Sequence, residues 1–264
     1  MTTQVNAEDK HVEIARALLA PERRAARPSS VLWDATTKPS ANVGPLAMWR
    51  AGEGPCVVLV HGWETDHRDM DAFVAPLVAA GRSVVAFDFP AHGESPGETA
   101  TLPDLAEALA AVCAFVGTVD AIIAHSVGCA ATAIALSRGM SVRRAAFVAP
   151  PLRYEAFVRS YAERAGADGD ALVSALAQLG LDIAPLDLRE NAATMDDHVP
   201  LLLVHSTDDR VCAVENTHRI AAVWPGATTA IVEGLGHSRI LRDEGVIARV
   251  RDFLVDDADS PAVR

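Results

Sequence analysis

The sequence predicts an α/β domain, a mostly parallel sheet covered on both faces by helices, with a small helical cap inserted into it. Three observations carry that expectation. Apolar runs of strand length alternate with segments of helix length from about residue 46 to residue 254. The runs are continuously apolar, as strands buried on both faces must be. The alternation lapses once, between Pro150-Pro151 and Pro200, where three helical segments follow one another with no strand between them. With 264 residues, half of them hydrophobic, the chain has enough material for one large core.

Taken in order, residues 12–19 read as a short amphipathic helix stopped by Pro21, and residues 28–40 as a Pro/Ser/Thr-rich connector around a candidate strand at 31–33. The sheet begins with Leu46-Ala47-Met48-Trp49 and with residues 56–60, joined by the turn-forming Gly52-Glu53-Gly54-Pro55. A helix is expected at 69–80, a strand at 83–87, a helix at 102–116, a strand at 121–124, a helix at 126–137 and a strand at 144–148. Residues 154–164, 170–179 and 187–191 are the helical segments of the insertion. A strand at 201–205, a helix at 214–223, a strand at 228–232 and a helix at 239–254 complete the pattern. The expected organisation is therefore an N-terminal helix and connector packed on the core (1–40), the core itself (41–150 and 199–256), a cap (151–198) and a flexible polar tail (257–264).

Charge and composition narrow the function. The net charge of −12 repels phosphate backbones and anionic membrane surfaces, so neither nucleic acid nor a membrane is expected as a partner. Lys10 and Lys38 are the only lysines, and no basic cluster stands out. No apolar run approaches the ~18 residues of a membrane span, and the first ten residues lack the pattern of a secretory signal, which points to a soluble cytoplasmic protein. Cys56, Cys113, Cys129 and Cys212 are scattered without a C-x-x-C pair, so neither disulfides nor a zinc site is expected.

The chemistry concentrates at strand ends. Ala124-His125-Ser126-Val127-Gly128 follows the apolar Ala121-Ile122-Ile123 and opens a helix of small residues. A strand turning sharply into a helix strains the turn residue and tolerates only small neighbours two positions away, which Ala124 and Gly128 supply. Ser126 then projects its hydroxyl above the sheet edge as a candidate nucleophile. His61-Gly62-Trp63 ends the strand at 56–60, and an oxyanion needs two ordered donors roughly 3 Å away. The backbone amides of Trp63 and Val127 are the candidates. The loop from Asp88 to Ser95 is dense in turn formers, and its His92 reads as structural. His125, adjacent to the serine, reads as a packing or hydrogen-bonding residue. The loop His205-Ser206-Thr207-Asp208-Asp209 offers two carboxylates to orient an imidazole, and spacing favours Asp209 over Asp208. His237, late in the chain on the glycine-flanked Glu233-Gly234-Leu235-Gly236 loop, is the candidate general base.

Together these segments resemble the α/β-hydrolase superfamily, over the span from about Trp49 to Leu254. A His-Gly-x segment matches Trp63, a D-x-P-x-H-G-x-S loop matches Asp88 to Ser95, the elbow serine matches Ser126, an H-G-x-x-D motif aligns on His205 and selects Asp209, and a closing G-H-S carries His237. Serine, acid and histidine also occur in the family's order. Two departures stand out: Ala124 replaces a Gly of the elbow, and Ser206 replaces the Gly of the acid motif. The resemblance implies an eight-stranded, mostly parallel sheet with an antiparallel start and a cap inserted after the sixth strand.

The chemistry expected is hydrolysis of a small or medium carboxylic ester through an acyl-enzyme on Ser126, with no cofactor and no metal. On the same triad the resemblance also implies thioester, lactone or carbon–carbon cleavage. Two other classes compete: a low-turnover ligand receptor that retains the triad, and a metallohydrolase using His61, Glu64, Asp66 and His67. Oligomeric state is not encoded in any motif of the chain.

Overall fold

Strands with β-branched and aliphatic residues on both faces have to lie in the middle of a layered domain, and that demand organises the molecule. The computed structural model of the protein describes residues 7–25, 28–31, 33, 40–41, 44–183, 186–194 and 199–256. In chain order it contains α1 (Ala7–Leu18), β1 (Ser40–Ala41), β2 (Gly44–Pro45), β3 (Met48–Ala51), β4 (Cys56–Val60), a 3₁₀ segment (His67–Phe73), α2 (Val74–Ala79), β5 (Ser83–Phe87), α3 (Leu102–Val116), β6 (Val119–His125), α4 (Val127–Ser137), β7 (Arg144–Val148), α5 (Tyr154–Arg164), α6 (Gly169–Gln178), α7 (Leu188–Ala193), β8 (Leu201–Ser206), α8 (Glu215–Ala221), β9 (Thr228–Val232), α9 (Gly236–Arg239), a 3₁₀ turn (Ile240–Arg242) and α10 (Glu244–Val255).

The main sheet runs β3-β5-β4-β6-β7-β8-β9, with β3 antiparallel to β5 and every other pair parallel. Alternate residues of each central strand enter different cores. Val58, Val85, Ile122, Phe147 and Leu203 join the helices α1, α3 and α4 and the α5–α7 segment on one face, while Leu59, Ala86, Ile123, Ala146 and Leu202 meet the 3₁₀ segment, α2 and α10 on the other. Strand order reverses at β4, whose neighbours β5 and β6 lie on opposite sides. Loops leaving the carboxyl ends of β4 and β6 therefore face one crevice, where ligands of open α/β sheets bind.

Several expectations are corrected. Seven strands form the main sheet rather than eight; β1 and β2 pair with each other as a separate two-stranded sheet among the described residues. The helical insertion consequently follows the fifth strand of the main sheet, β7, and not a sixth. The first long strand is shifted to Met48–Ala51: the Ala47 amide is taken by the Ser95 hydroxyl, while its carbonyl still accepts from the Asp88 amide in register with β5. The helix expected at 69–80 splits into the 3₁₀ segment and α2: Pro76 offers no N–H and is tolerated only in a first turn, so the α-helix restarts just before it. The final helix is likewise broken, since Asp243 caps α10 by accepting from the Val246 amide. Val31 and Trp33 are not in a strand; Leu32, residues 34–39 and the expected tail at 257–264 lie outside the described residues.

The segment between β7 and β8 folds into α5, α6 and α7. α5 and α6 pack on each other and on α1, and α7 packs on α4. α1 is thus wedged against the inserted helices as well as the core. No helix among the described residues is long and apolar enough to cross a membrane, and all four cysteines are free and buried.

Candidate active site

Ser126 sits where β6 becomes α4, with φ 52° and ψ −125°, a left-handed backbone that a non-glycine residue adopts only when its surroundings impose it. The surroundings do so on both sides. Its amide donates to the Val148 carbonyl at the end of β7 (3.0 Å). Two residues on, a Cβ added to Gly128 would stand 2.6 Å from the His61 carbonyl oxygen and 2.9 Å from that of Val60. Only glycine lets α4 approach β4 this closely. Ala124, at the opposite end of the elbow, is fully buried, and its methyl is accommodated.

Three side chains from distant loops meet here. His237 Nε2 lies 3.0 Å from Ser126 Oγ, and its Nδ1 lies 2.7 Å from Asp209 Oδ2. Asp209 is held from behind: Oδ1 accepts from the amides of Val211 (2.8 Å) and Cys212 (2.9 Å), and Oδ2 stands 3.2 Å from His205 Nε2. Burial of this side chain opposes its charge, but the hydrogen bonds from His205, His237 and the Cys212 amide outweigh it, and the carboxyl is held well below the usual carboxylate range. Asp208, the other carboxylate of the loop, points away to Ser206 and the Gly236 amide. Of the two acids, the structure brings Asp209 to the imidazole.

The loop after β4 closes the other side of the serine. A Cβ on Gly62 would lie 3.2 Å from Ser126 Cβ and 3.1 Å from His125 Nδ1, so this backbone runs directly against the elbow. His61 is fully buried; its Nε2 accepts from the Phe89 amide (2.9 Å), which leaves Nδ1–H to donate to the Gly62 carbonyl (2.7 Å). Thr65 Oγ1 donates to the same carbonyl at 2.8 Å. In a trans peptide the N–H points opposite to the C=O, so fixing the Gly62 oxygen also fixes the direction of the Trp63 amide. Val127 is the first residue of α4, and its amide belongs to the first turn, whose donors have no intrahelical partner.

The other histidines take supporting positions. His125 Nε2 donates to the His237 carbonyl at 2.9 Å, while its Nδ1 has no partner among the described residues; burial foremost, then the neighbouring His237, pushes its pKa down to about 3. His92 Nδ1 donates to the Pro90 carbonyl (2.8 Å), and its ring stands edge-on to Trp63 with centroids 4.9 Å apart. Burial likewise lowers its pKa to about 3. The residues weighed for a metal do not assemble as a set. His61 is occupied as described, Glu64 accepts from the Glu22 amide, and Asp66 and His67 gather instead with Asp88, their donor atoms within 4.8 Å of one another. Those groups are already engaged: Asp66 grips Arg68, and Asp88 accepts from the His67 amide, His67 Nδ1 and the Glu94 amide.

Reasoning from sequence missed Thr65 and the links that Ser206 and Asp208 make to the base loop, and it gave His125 a hydrogen-bonding role without its partner, the His237 carbonyl. Ser206 left a trace as a departure from a motif, and Asp208 as the less favoured of two carboxylates. The inserted helices reach this crevice through Phe157 of α5, whose ring lies edge-on to Trp63 at 6.4 Å, with Tyr154 beside it at 5.6 Å.

Comparison with known proteins shows likenesses of fold. An esterase of Pyrococcus furiosus, Pf2001, superposes with a TM-score of 0.71 at 19% identity, covering 89% of this chain and 97% of that one. An esterase of Exiguobacterium antarcticum gives 0.66 at 16% identity (83% and 99%), and a bromoperoxidase of Bacillus anthracis gives 0.63 at 16% (83% and 99%). At such identities the likeness is one of fold. Residues 57–249 match the model of the alpha/beta hydrolase family, a span that reaches from β4 into α10 and includes Ser126, Asp209 and His237, and the chain belongs to that family.

Proposed function

We propose that the protein is a serine hydrolase acting on small or medium carboxylic esters. The observation that carries this reading is the unbroken relay from Ser126 Oγ through the His237 imidazole to Asp209, at 3.0 and 2.7 Å, on a serine held in a strained left-handed turn. In the reaction, His237 Nε2 takes the Ser126 proton as Oγ attacks the ester carbonyl carbon. The Trp63 and Val127 amides receive the negative charge of the tetrahedral intermediate. His237 then returns the proton to the departing alcohol, leaving an acyl-serine. A water deprotonated by the same nitrogen attacks that acyl group, and collapse of the second intermediate frees the acid and restores the hydroxyl. Asp209 keeps Nδ1 protonated and stabilises the imidazolium formed in each half-reaction.

The edge-on contact of Phe157 with Trp63, with Tyr154 packed against Phe157, supports small or medium esters, because α5 thereby reaches the Trp63 side of the crevice. No step needs a cofactor or a metal ion. The test is turnover of a short-chain aryl ester together with mass-spectrometric mapping of a fluorophosphonate adduct. Labelling at Ser126, and loss of about 10³-fold or more in kcat in Ser126→Ala with the fold intact, are expected. Turnover near wild type in that variant, or an adduct on another residue, refutes the reading.

A further inference from the structure

The loop that carries the base is built to move and is nevertheless held still. His237 follows Gly234-Leu235-Gly236, and both glycines have left-handed φ values, 75° and 59°. A backbone of that kind has little stiffness of its own, whereas His237 must span Ser126 and Asp209 at hydrogen-bonding distance from each.

The restraint comes from the acid loop. Ser206, the last residue of β8, is fully buried, and its Oγ accepts from the amides of Leu235 (3.1 Å) and Gly236 (3.2 Å) while donating to Asp208 Oδ1. One proton given and two received exhaust what a hydroxyl can do. Asp208 Oδ1 also accepts from the Gly236 amide at 3.0 Å, and its Oδ2 lies 3.9 Å from Arg239, whose guanidinium donates to the Gly234 carbonyl. Glycine, the residue of the related motif at position 206, would leave the Leu235 amide without this acceptor and Asp208 without its hydroxyl partner. Serine here is a second link between the two loops, independent of the Asp209–His237 contact.

We propose that Ser206, with Asp208 as its carboxylate partner, is a positioning residue that latches the base loop to the acid loop and so keeps His237 in line between Ser126 and Asp209. The latch rests on the serine-hydrolase reading above and adds to it how the flexible third member is held. Neither side chain touches the reacting atoms. Their effect passes through His237, so it falls on the chemical step and leaves substrate capture alone.

The experiment uses the full chain and the variants Ser206→Ala, Asp208→Ala and the double variant. Each is assayed with p-nitrophenyl acetate for kcat and KM, for the rate of fluorophosphonate attachment to Ser126, and for thermal unfolding. Asp208 is exposed, so its variant tests the latch without threatening the core. Expected are a fall of about 10-fold or more in kcat for Ser206→Ala and a smaller fall for Asp208→Ala, with KM within about twofold. Labelling should slow in parallel yet run to completion. Losses in the double variant should fall short of the product of the single ones, because both act on one link. Unchanged kcat and labelling rates overturn the latch, as does a raised KM at constant kcat or a loss that merely follows the unfolded fraction. A wild-type protein that does not label at Ser126 overturns the hydrolase reading and the latch with it; one that labels normally beside variants that label equally fast overturns the latch alone.

Discussion

Gly128→Ala sets two known effects against each other. Gly128 lies in the first turn of α4 with no left-handed φ, so helix propensity alone predicts that alanine stabilises the protein, by up to about 1 kcal/mol. The close approach predicts the reverse. The new methyl would stand 2.6 Å from the His61 carbonyl oxygen, 2.9 Å from the Val60 oxygen and 3.0 Å from Val60 Cγ1, where ordinary contact begins at 3.4 Å. Two of those three neighbours are main-chain atoms of the end of β4, unable to rotate aside. α4 must therefore retreat by about 0.8 Å, the difference between 3.4 and 2.6. Overpacking of this kind costs about 1–3 kcal/mol, so a net destabilisation is expected, with Tm lower by several degrees. The same retreat carries Ser126 and the Val127 amide away from the Gly62–Trp63 peptide and from His237. A misplacement near 1 Å in a catalytic constellation costs about 10²-fold. The assay is kcat on a short aryl ester beside differential scanning calorimetry. A variant that is more stable than wild type and equally active would show that the elbow does not depend on this contact, and the account of the site's rigidity would fail.

Asp209→Asn should preserve the fold and lower kcat by about 10³- to 10⁴-fold, since an amide leaves the imidazole in the wrong tautomer; a loss below tenfold would show that Asp209 does not orient His237. Thr65→Val removes one of two donors to the Gly62 carbonyl and should reduce kcat by about tenfold with KM little changed, as read by steady-state kinetics; an unchanged kcat would mean that His61 alone sets the Trp63 amide. Acid should destabilise the protein through its buried neutral imidazoles. His92 and His125 have folded pKa values of about 3, below the 6.5 of an exposed imidazole, so the unfolded chain binds more protons between those limits and stability falls as pH drops from about 6.5 towards 3. Each contributes a slope of up to about 1.4 kcal/mol per pH unit in that window, and denaturant titrations of His92→Gln from pH 7 to pH 4 should give a shallower slope than wild type; an equal slope would refute the assignment.

The legible parts of the chain were those fixed by local physics. β4, β5, β7 and β9 coincide with their expected residues: the first three are buried on both faces and interrupt the helical pattern sharply, while β9, a largely exposed edge strand, is marked by the β-branched Thr228, Thr229, Ile231 and Val232. α3 coincides too: Thr101 and Asp104 form a reciprocal capping box at its start, and Gly117 takes a φ of 90° at its end. Expectation and structure part where tertiary partners override propensity, as when the Ser95 hydroxyl claims the Ala47 amide, or where Pro76 divides a helical pattern. The separate pairing of β1 with β2 depends on how the chain turns before β3, which composition does not encode. At the site, Ser126, His237 and Asp209 were visible because each follows a strand on a loop rich in turn formers. Thr65 and the link made by Asp208 were invisible, because the partners, the Gly62 carbonyl and the Gly236 amide, are backbone atoms whose direction emerges only when the loops are folded.

The site's rigidity has two distinct sources. Ser126 and the Gly62–Trp63 peptide stand at the ends of β6 and β4, adjacent strands of the core, and their geometry is fixed by main-chain contacts such as Gly128 against His61 and Ser126 against Val148. His237 is held differently. Its strand, β9, is the edge of the sheet, paired only with β8, and its loop contains two glycines in left-handed conformations. Among the described residues its loop is held largely by side-chain bonds: His125 at the end of β6 to the His237 carbonyl, Ser206 at the end of β8 to the Leu235 and Gly236 amides, Asp208 to the Gly236 amide, Arg239 to the Gly234 carbonyl, and Asp209 to Nδ1. Serine and oxyanion donors should accordingly tolerate surface substitutions that leave the sheet intact, whereas the base should be sensitive to the loss of any one of these bonds, even where overall stability barely changes. In the proposed mechanism, the residue that donates and accepts protons in turn is thus the one placed chiefly by side-chain bonds.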